Sequence, residues 1–118
     1  MRKILSVLVI CMGLGFFLTS QALCHTPLCS CYDNGDETIT CEGGFSDGSS
    51  AAGVDIKVVD KNSKVISVKD KDGTTIPLKG KMDEDSEFTF IKPQKPYKVI
   101  FDAGPGHAVE IDGDEITE

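Results

Sequence analysis

Two histidines and a group of cysteines are the residues of this sequence best suited to metal chemistry. His25 and His107 are the only histidines among 118 residues, and Cys29, Cys31 and Cys41 follow His25 closely. Imidazole nitrogens suit nickel, cobalt and copper, whereas thiolates suit softer ions. We therefore predict a metal site drawn from His25, His107, Cys29 and Cys31. No grouping of nucleophile, base and oxyanion donor is found, so no catalytic site is predicted and the protein is not expected to be an enzyme.

The role of His25 depends on an export signal that precedes it. A basic pair, Arg2-Lys3, is followed by the uncharged apolar run 4–18 and by a short polar stretch that ends at Cys24. This order is typical of a secretory signal peptide. The apolar run of about 15 residues is shorter than the roughly 20 that a membrane-spanning helix needs, although an uncleaved anchor helix is the alternative. We expect residues 1–24 to be removed and the mature chain to be periplasmic or secreted, with no membrane span.

Cleavage before His25 would create a chelating N-terminus. An α-amine has a pKa of about 8 and an imidazole about 6.5, so both can lose their protons near neutral pH and bind one ion together with His107. Cleavage before Leu23 is an alternative. It would make His25 the third residue, where the amine, two backbone amides and the imidazole bind copper or nickel without His107. Lipidation of Cys24 is a third reading of the same segment.

The charge of the mature chain excludes several classes of partner. Removal of residues 1–24 would leave 94 residues with ten basic and 19 acidic side chains, a net charge of −9. No basic stripe remains that could neutralise phosphates, so nucleic acid is not an expected partner. Attachment to an anionic membrane surface is disfavoured for the same reason. An acidic surface attracts cations, but without selectivity.

The cysteines indicate a disulfide, because export leads to an oxidising compartment. Cys29 and Cys31 are two residues apart and would lie on the same side of a strand. The turn sequence at 33–36 and a returning strand would bring Cys41 opposite or diagonal to one of them, and one residue of register decides which. One thiol is left over. It is either inert or intermolecular, or it lies near His25 and helps to hold the metal.

The rest of the chain predicts an all-β fold. Short runs of alternating apolar and polar residues recur every 8–12 residues from residue 53 to residue 112, separated by turn sequences. Three Asp-rich turns, at 33–36, 70–73 and 112–115, lack the spacing of calcium loops. We predict a small antiparallel β-sandwich of about seven strands, in which a cysteine-containing hairpin over 25–42 joins a sandwich over 43–118 in one globular unit. The predicted inward-facing residues are Val54, Ile56, Val58, Val65, Phe88, Phe90, Val99, Phe101, Val109 and Ile111.

Several of these segments resemble carboxypeptidase-regulatory-like domains, which are transthyretin-like β-sandwiches. The resemblance lies in Phe45-Ser46-Asp47-Gly48, in the strand over 53–60 (GVDIKVVD), in the F-x-F segment over 83–90 (DEDSEFTF) and in Pro96-Tyr97-Lys98-Val99. It covers roughly residues 37 to 102. The D-x-x-G turn of those domains is replaced here by Met82-Asp83-Glu84-Asp85, which lacks the glycine.

A narrower resemblance concerns the two ends. A mature chain that starts at histidine, followed by such a sandwich and by an Ala-Gly-Pro-Gly-His segment over 103–107, is similar to periplasmic accessory components of nickel/cobalt energy-coupling-factor transporters. The resemblance implies nickel or cobalt as the bound ion and a membrane metal transporter as the partner. Ligand chemistry alone favours copper, because nitrogen sites generally bind it more tightly.

The sequence therefore predicts an exported protein that binds a divalent transition metal for uptake or buffering. The alternative is a non-enzymatic interaction module that binds protein or glycan through an exposed edge or loop. A third reading, an oxidising enzyme with histidine-chelated copper, is weakened because the chain has two tyrosines and no tryptophan to form an aromatic binding face.

Overall fold

The computed structural model describes residues 26–118. The predicted signal peptide, its cleavage site, Cys24 and His25 lie outside the described residues. Within them the chain is all-β, with nine strands and one turn of 3₁₀ helix at Gly113–Glu115, so the predicted fold class is confirmed although the strands are more numerous than expected. The strands are β1 (Pro27–Asp33), β2 (Thr38–Phe45), β3 (Asp55–Val59), β4 (Ser67–Lys69), β5 (Thr75–Pro77), β6 (Lys79–Lys81), β7 (Glu87–Ile91), β8 (Lys98–Asp102) and β9 (Ala108–Asp112).

Two antiparallel sheets and a short ribbon make up the fold. The first sheet has the order β1-β2-β7, the second has the order β6-β3-β8-β9, and β4 pairs with β5. The inner faces of the two sheets share one core, to which β2 and β7 contribute from one side and β3 and β8 from the other. The buried members of this core are Ile39, Cys41, Ala51, Ile56, Val58, Ile66, Leu78, Met82, Phe90, Val99 and Phe101.

The period-two pattern of the sequence explains the central strands. In β3, Ile56 and Val58 are buried while Asp55 is exposed, and in β8 Val99 and Phe101 are completely buried. Each fully buried side chain of this size contributes roughly 1.5–3 kcal/mol relative to an exposed one. Burial of alternate residues therefore fixes which face of each strand turns inward.

Aspartate side chains close the turns between the strands. Oδ1 of Asp33 accepts a hydrogen bond from the Gly35 amide at 2.8 Å, and Oδ1 of Asp60 accepts one from the Asn62 amide at 2.8 Å. The pKa of Asp60 is lowered, and the largest causes are the hydrogen bonds that its carboxylate accepts from the Lys64 and Asn62 amides. The Asp-rich motif at 33–36 is thus a turn whose first carboxylate is bound to its own backbone.

Strand β2 is longer than the sequence predicted. The predicted hairpin ends at residue 42, yet β2 runs on through Gly43 and Gly44 to Phe45. A Cβ atom on Gly43 would lie 2.6 Å from Cε2 of Phe101 and 3.1 Å from the methyl carbon of Met82. The absence of a side chain at Gly43 therefore lets the side chains of Phe101 and Met82 pack directly against the β2 backbone.

The predicted inward position of Val65 is wrong. Val65 is 38% exposed, whereas its neighbour Ile66 is only 3% exposed. The Ile66 amide donates to the Val58 carbonyl at 2.9 Å, and the Ile66 carbonyl accepts from the Leu78 amide at 2.8 Å. These bonds set the register, and a shift of one residue turns every side chain of a strand to its other face.

The structure resolves the cysteine pairing that the sequence left open. Cys31 lies directly opposite Cys41 in the β1–β2 ladder, and the two form a disulfide with a Cα–Cα distance of 4.0 Å. Cys29 lies opposite Gly43 and is free. The disulfide links the edge strand β1 to the central strand of its sheet.

Reduction of this disulfide should lower the free energy of unfolding by about 2–3 kcal/mol, because the bond closes a short loop in the unfolded chain. The sequence separation of the two cysteines is 10. Urea unfolding of the oxidised and the reduced chain measures the difference. A Cys31→Ala/Cys41→Ala variant serves as control, because reductant should leave its stability unchanged. A difference below about 0.5 kcal/mol would show that the bond does not constrain the unfolded chain.

Two glutamates face each other on the outer side of the first sheet. Glu42 of β2 lies directly opposite Glu87 of β7. The pKa of Glu87 is raised, first by partial burial and then by the charges of Glu42 and Asp83. Like charges directly opposite one another destabilise a sheet. Ionising both carboxyls therefore opposes folding.

Replacing Glu42 by glutamine should stabilise the protein near neutral pH. A carboxyl whose pKa is raised on folding lowers the free energy of unfolding. This loss is absent below the ordinary glutamate pKa of about 4.3 and is fully present above the raised pKa of the folded state. The gain of Glu42→Gln over the wild type should therefore shrink at about pH 3. Urea unfolding at both pH values tests this. Glu84→Gln, in the exposed turn before β7, is the matched loss of charge and should show a smaller change.

Candidate functional site

The start of β1 and the loop before β9 lie at the same end of the sandwich. The Thr26 amide donates to Oγ of Ser46 at 2.9 Å, and the Ser46 amide donates to the Thr26 carbonyl at 2.9 Å. The neighbouring Phe45 ring lies with its centroid 6.4 Å from that of Phe101 in β8. Two residues beyond Phe101 the chain enters the loop 103–107. This end of the sandwich, which carries Thr26, Ser46 and the loop 103–107, is called the His107 end below.

Contacts at the opposite end agree with this placement. The Asp33 amide, at the end of β1, donates to the Thr117 carbonyl at 3.0 Å. Strand β1 and the chain from β9 onwards therefore run in the same general direction, and their starting points share one end. Nζ of Lys92 also lies 2.8 Å from Oδ2 of Asp33, and this hydrogen bond is the largest cause of a lowered pKa for the Asp33 carboxyl.

His107 is exposed at the end of a tight loop. The Ala103 amide donates to the His107 carbonyl at 2.9 Å, and the His107 amide donates to the Gly104 carbonyl at 2.9 Å. Gly104 and Gly106 have φ values of 118° and 75°, which residues with a side chain rarely adopt. The glycines at these positions let the loop turn back within a few residues.

The imidazole of His107 is oriented by the same loop. Its Nδ1 lies 3.0 Å from the carbonyl oxygen of Pro105. A carbonyl can only accept, so this contact requires a hydrogen on Nδ1, and the neutral ring then has its lone pair on Nε2. In metal-bound histidines, the ring nitrogen that does not bind the metal commonly donates its N–H to a backbone carbonyl. This hydrogen bond fixes the tautomer and the ring orientation. The contact therefore orients the neutral ring of His107 so that Nε2 is the nitrogen available to a metal ion.

The three cysteines form a separate group on the inner face of the first sheet. The sulfurs of Cys29, Cys31 and Cys41 all lie within 4.8 Å of one another. Burial raises the pKa of the Cys29 thiol to about 11. While the disulfide is intact, Cys31 and Cys41 present no thiolate, and Cys29 is protonated near neutral pH.

The structure thus divides the predicted site residues into two groups. Among residues 26–118, the metal-ligand group whose donor atoms meet consists of the three cysteines and does not include His107. His25 lies outside the described residues, but its neighbour Thr26 is held at the His107 end by Ser46. Sequence reasoning missed the anchoring role of Ser46 and the orienting role of the Pro105 carbonyl, since both depend on contacts that the spacing of residues does not reveal.

The surface beside the His107 loop forms an open depression rather than a closed pocket. It is lined by the turn before β3 and by the start of the loop after β8, that is by Gly53, Val54, Asp55, Asp102, Ala103 and Gly104. The Asp102 carboxylate is hydrogen-bonded within its own loop, because its Oδ1 accepts from the Gly104 amide at 2.9 Å.

The part of the chain that the structure describes contains no helix with the length and hydrophobicity needed to cross a membrane. No protein-family model, curated protein or solved structure matches this chain.

The Cys29 thiol should react slowly with iodoacetamide in the folded chain. A pKa of about 11 leaves little thiolate near pH 8, so we expect alkylation at least about tenfold slower than in urea. Mass spectrometry of timed samples measures both rates. In a Cys29→Ser/Ser30→Cys variant the thiol moves to an exposed position on the same strand and should react quickly without urea. Equal rates for the folded wild type and this variant would contradict the burial of Cys29.

Proposed function

We propose that this chain is an exported protein that binds a divalent transition-metal ion for uptake or buffering. The ligands are the α-amine and imidazole of an N-terminal His25 together with Nε2 of His107. Nickel or cobalt follows from the resemblance to accessory components of nickel/cobalt transporters, and a membrane metal transporter is the corresponding partner. Copper is the ion that a site of nitrogen ligands favours by its chemistry.

One observation supports this proposal above the others. Thr26 and His107 lie at the same end of the sandwich, tied together through Ser46, Phe45 and Phe101. A ligand placed immediately before Thr26 therefore starts at the end of the sandwich that carries His107. In a sandwich, chain ends can equally well lie at opposite ends of the strands, where two histidines could not share an ion.

The tautomer of His107 adds a second line of support. The Nδ1 contact with Pro105 leaves Nε2 as the ring nitrogen with a free lone pair. His25 would use its own Nδ1 with the α-amine, so the two histidines supply three nitrogens. Imidazole and amine nitrogens are ligands that nickel, cobalt and copper accept.

Export agrees with the disulfide and with the charge. The Cys31–Cys41 bond is of a kind that persists in oxidising compartments. Removal of residues 1–24 would leave a net charge of −9, which raises the local concentration of cations around the protein. We propose that the sandwich itself is a carboxypeptidase-regulatory-like domain, which serves here to hold the two ends of the site.

The decisive experiment uses the processed chain, isolated after export, with its N-terminus established by mass spectrometry. Titration with nickel or copper should show one tight site and a raised melting temperature, because the ion binds the folded state. His25→Ala and His107→Ala should each weaken binding at least about tenfold, which corresponds to about 1.4 kcal/mol. Calorimetry measures the affinity directly.

A single alanine added before His25 is the sharpest variant, because it moves the α-amine and changes no side chain. The added residue should also weaken binding at least about tenfold. If this variant and both histidine variants bind as tightly as the wild type, the two-histidine site is wrong. Tight binding that survives His107→Ala in a chain beginning at Leu23 would assign the ion to the N-terminal segment alone. The interaction-module alternative predicts no effect of metal on the melting temperature.

A further inference from the structure

The inner face of the β1–β2 hairpin brings three sulfurs together in an arrangement that a disulfide alone does not require. Cys31 and Cys41 form the bond, while the free thiol of Cys29 lies within 4.8 Å of both sulfurs. Cys29 and Cys31 are two residues apart on one strand and therefore share a face. A disulfide needs two cysteines, so the bond does not account for the third.

The spacing of these sulfurs fits a single thiolate-bound ion. Three sulfurs bound to one metal at about 2.3 Å would be about 4 Å apart, which is inside the 4.8 Å that encloses this group. Opening the disulfide lets the sulfurs of Cys31 and Cys41 separate to this distance by side-chain rotation. The β1–β2 pairing holds the backbone of each cysteine during this rotation.

The strands keep their positions without help from the disulfide. Strand β1 pairs with β2 along its whole length, from Pro27 opposite Phe45 to Asp33 opposite Ile39. Strand β2 is in turn paired with β7 on its other side. The reduced hairpin is therefore still held by the ladder, and its three thiols remain on one face.

The surroundings favour a soft ion. Cys29 lies opposite Gly43, and the space that a side chain at Gly43 would fill is taken by the Phe101 ring and the methyl end of Met82. Cys41 is completely buried. Within the described residues, no histidine or carboxylate shares the sulfur group, so oxygen and nitrogen ligands do not compete. Sulfur ligands of this kind select Cu(I) over harder divalent ions, and zinc would need a fourth ligand.

We infer that reduction of the Cys31–Cys41 disulfide creates a Cu(I) site in which Cys29, Cys31 and Cys41 bind one ion through their three sulfurs. The oxidised chain lacks this site, because two of its three sulfurs are bonded to each other. The site is separate from the proposed nitrogen site, which takes a divalent ion at the end of the sandwich. Reduction therefore adds a Cu(I) site and leaves the ligands of the nitrogen site unchanged.

The reduction step requires a dithiol. The dithiol transfers two electrons and two protons to the Cys31–Cys41 bond, which becomes two thiols, while the dithiol itself becomes a disulfide. Cys29 takes no part in this transfer. When Cu(I) binds, each of the three thiols releases its proton to the solvent and forms a sulfur–copper bond. The copper remains Cu(I) throughout.

The test is a competition for Cu(I) against the chelator bathocuproine disulfonate, without oxygen, on the processed full chain. The protein is compared in its oxidised form and after reduction by a phosphine that is then removed. Reduced wild type should take up one equivalent of Cu(I) at least about tenfold more tightly than either the oxidised form or reduced Cys29→Ser. Thiolate-to-copper absorption in the near ultraviolet should appear in the reduced wild type alone.

The Cys29→Ser/Ser30→Cys variant is the matched control. It has the same number of thiols, but one has moved to the opposite face of β1. Weak binding by this variant supports a site that depends on geometry, whereas binding as tight as that of the wild type would overturn it. Tight binding by the oxidised chain, or no uptake by the reduced wild type, would overturn it as well.

Two further measurements distinguish the sulfur site from the nitrogen site and cover the case in which reduction unfolds the chain. His107→Ala should leave Cu(I) affinity unchanged, and a matching loss in this variant would place the ion at the nitrogen site and overturn the inference. Should reduction unfold the chain, Cu(I) must restore the β-sheet circular dichroism of the wild type but not of the moved-thiol variant. Failure to restore it would also refute the site.

Discussion

The contact of Phe101 with the backbone of Gly43 is the interaction on which the rest of the structure depends. Phe101 belongs to the second sheet, and its ring occupies the space beside Gly43 in the first sheet. The same ring lies close to Phe45, whose successor Ser46 holds Thr26. Because one buried ring joins the sheets here, the start of β1 and the loop that carries His107 are brought to the same end of the molecule.

The two candidate binding regions differ in the chemistry they offer. At the His107 end the proposed ligands are nitrogens, and the exposed imidazole of His107 is oriented by the Pro105 carbonyl. On the inner face of the hairpin the ligands are sulfurs, half-buried or fully buried between two sheets. Nitrogen ligands suit divalent ions such as nickel, cobalt and copper, whereas sulfur ligands suit a soft ion such as Cu(I). The two proposed sites therefore share no ligand.

The fold tolerates charge at its surface at some cost. Hydrogen bonds hold the pKa values of Asp33, Asp36 and Asp60 below the ordinary aspartate value, and for Asp33 the largest cause is the bond from Lys92. The facing pair Glu42 and Glu87 does the reverse, because partial burial and a like charge raise the pKa of Glu87. The thin core of this domain must offset such repulsion, and the cross-strand disulfide contributes by restricting the unfolded chain.

The alternation of apolar and polar residues by itself determined the all-β class and most of the inward positions. Five of the ten are buried, namely Ile56, Val58, Phe90, Val99 and Phe101, and four more pack partly buried against the core, namely Val54, Phe88, Val109 and Ile111. Local pattern also determined the turn at 33–36. Only the tertiary structure decided the pairing of Cys31 with Cys41, the exchange of Val65 for Ile66 in the core and the extension of β2 through Gly43. Each of these depends on strand register or on a side chain distant in sequence, and the period-two pattern is the same for every register that keeps the same face inward. The shared location of Thr26 and His107 is likewise a product of sheet packing, because no local signal relates residues 81 positions apart.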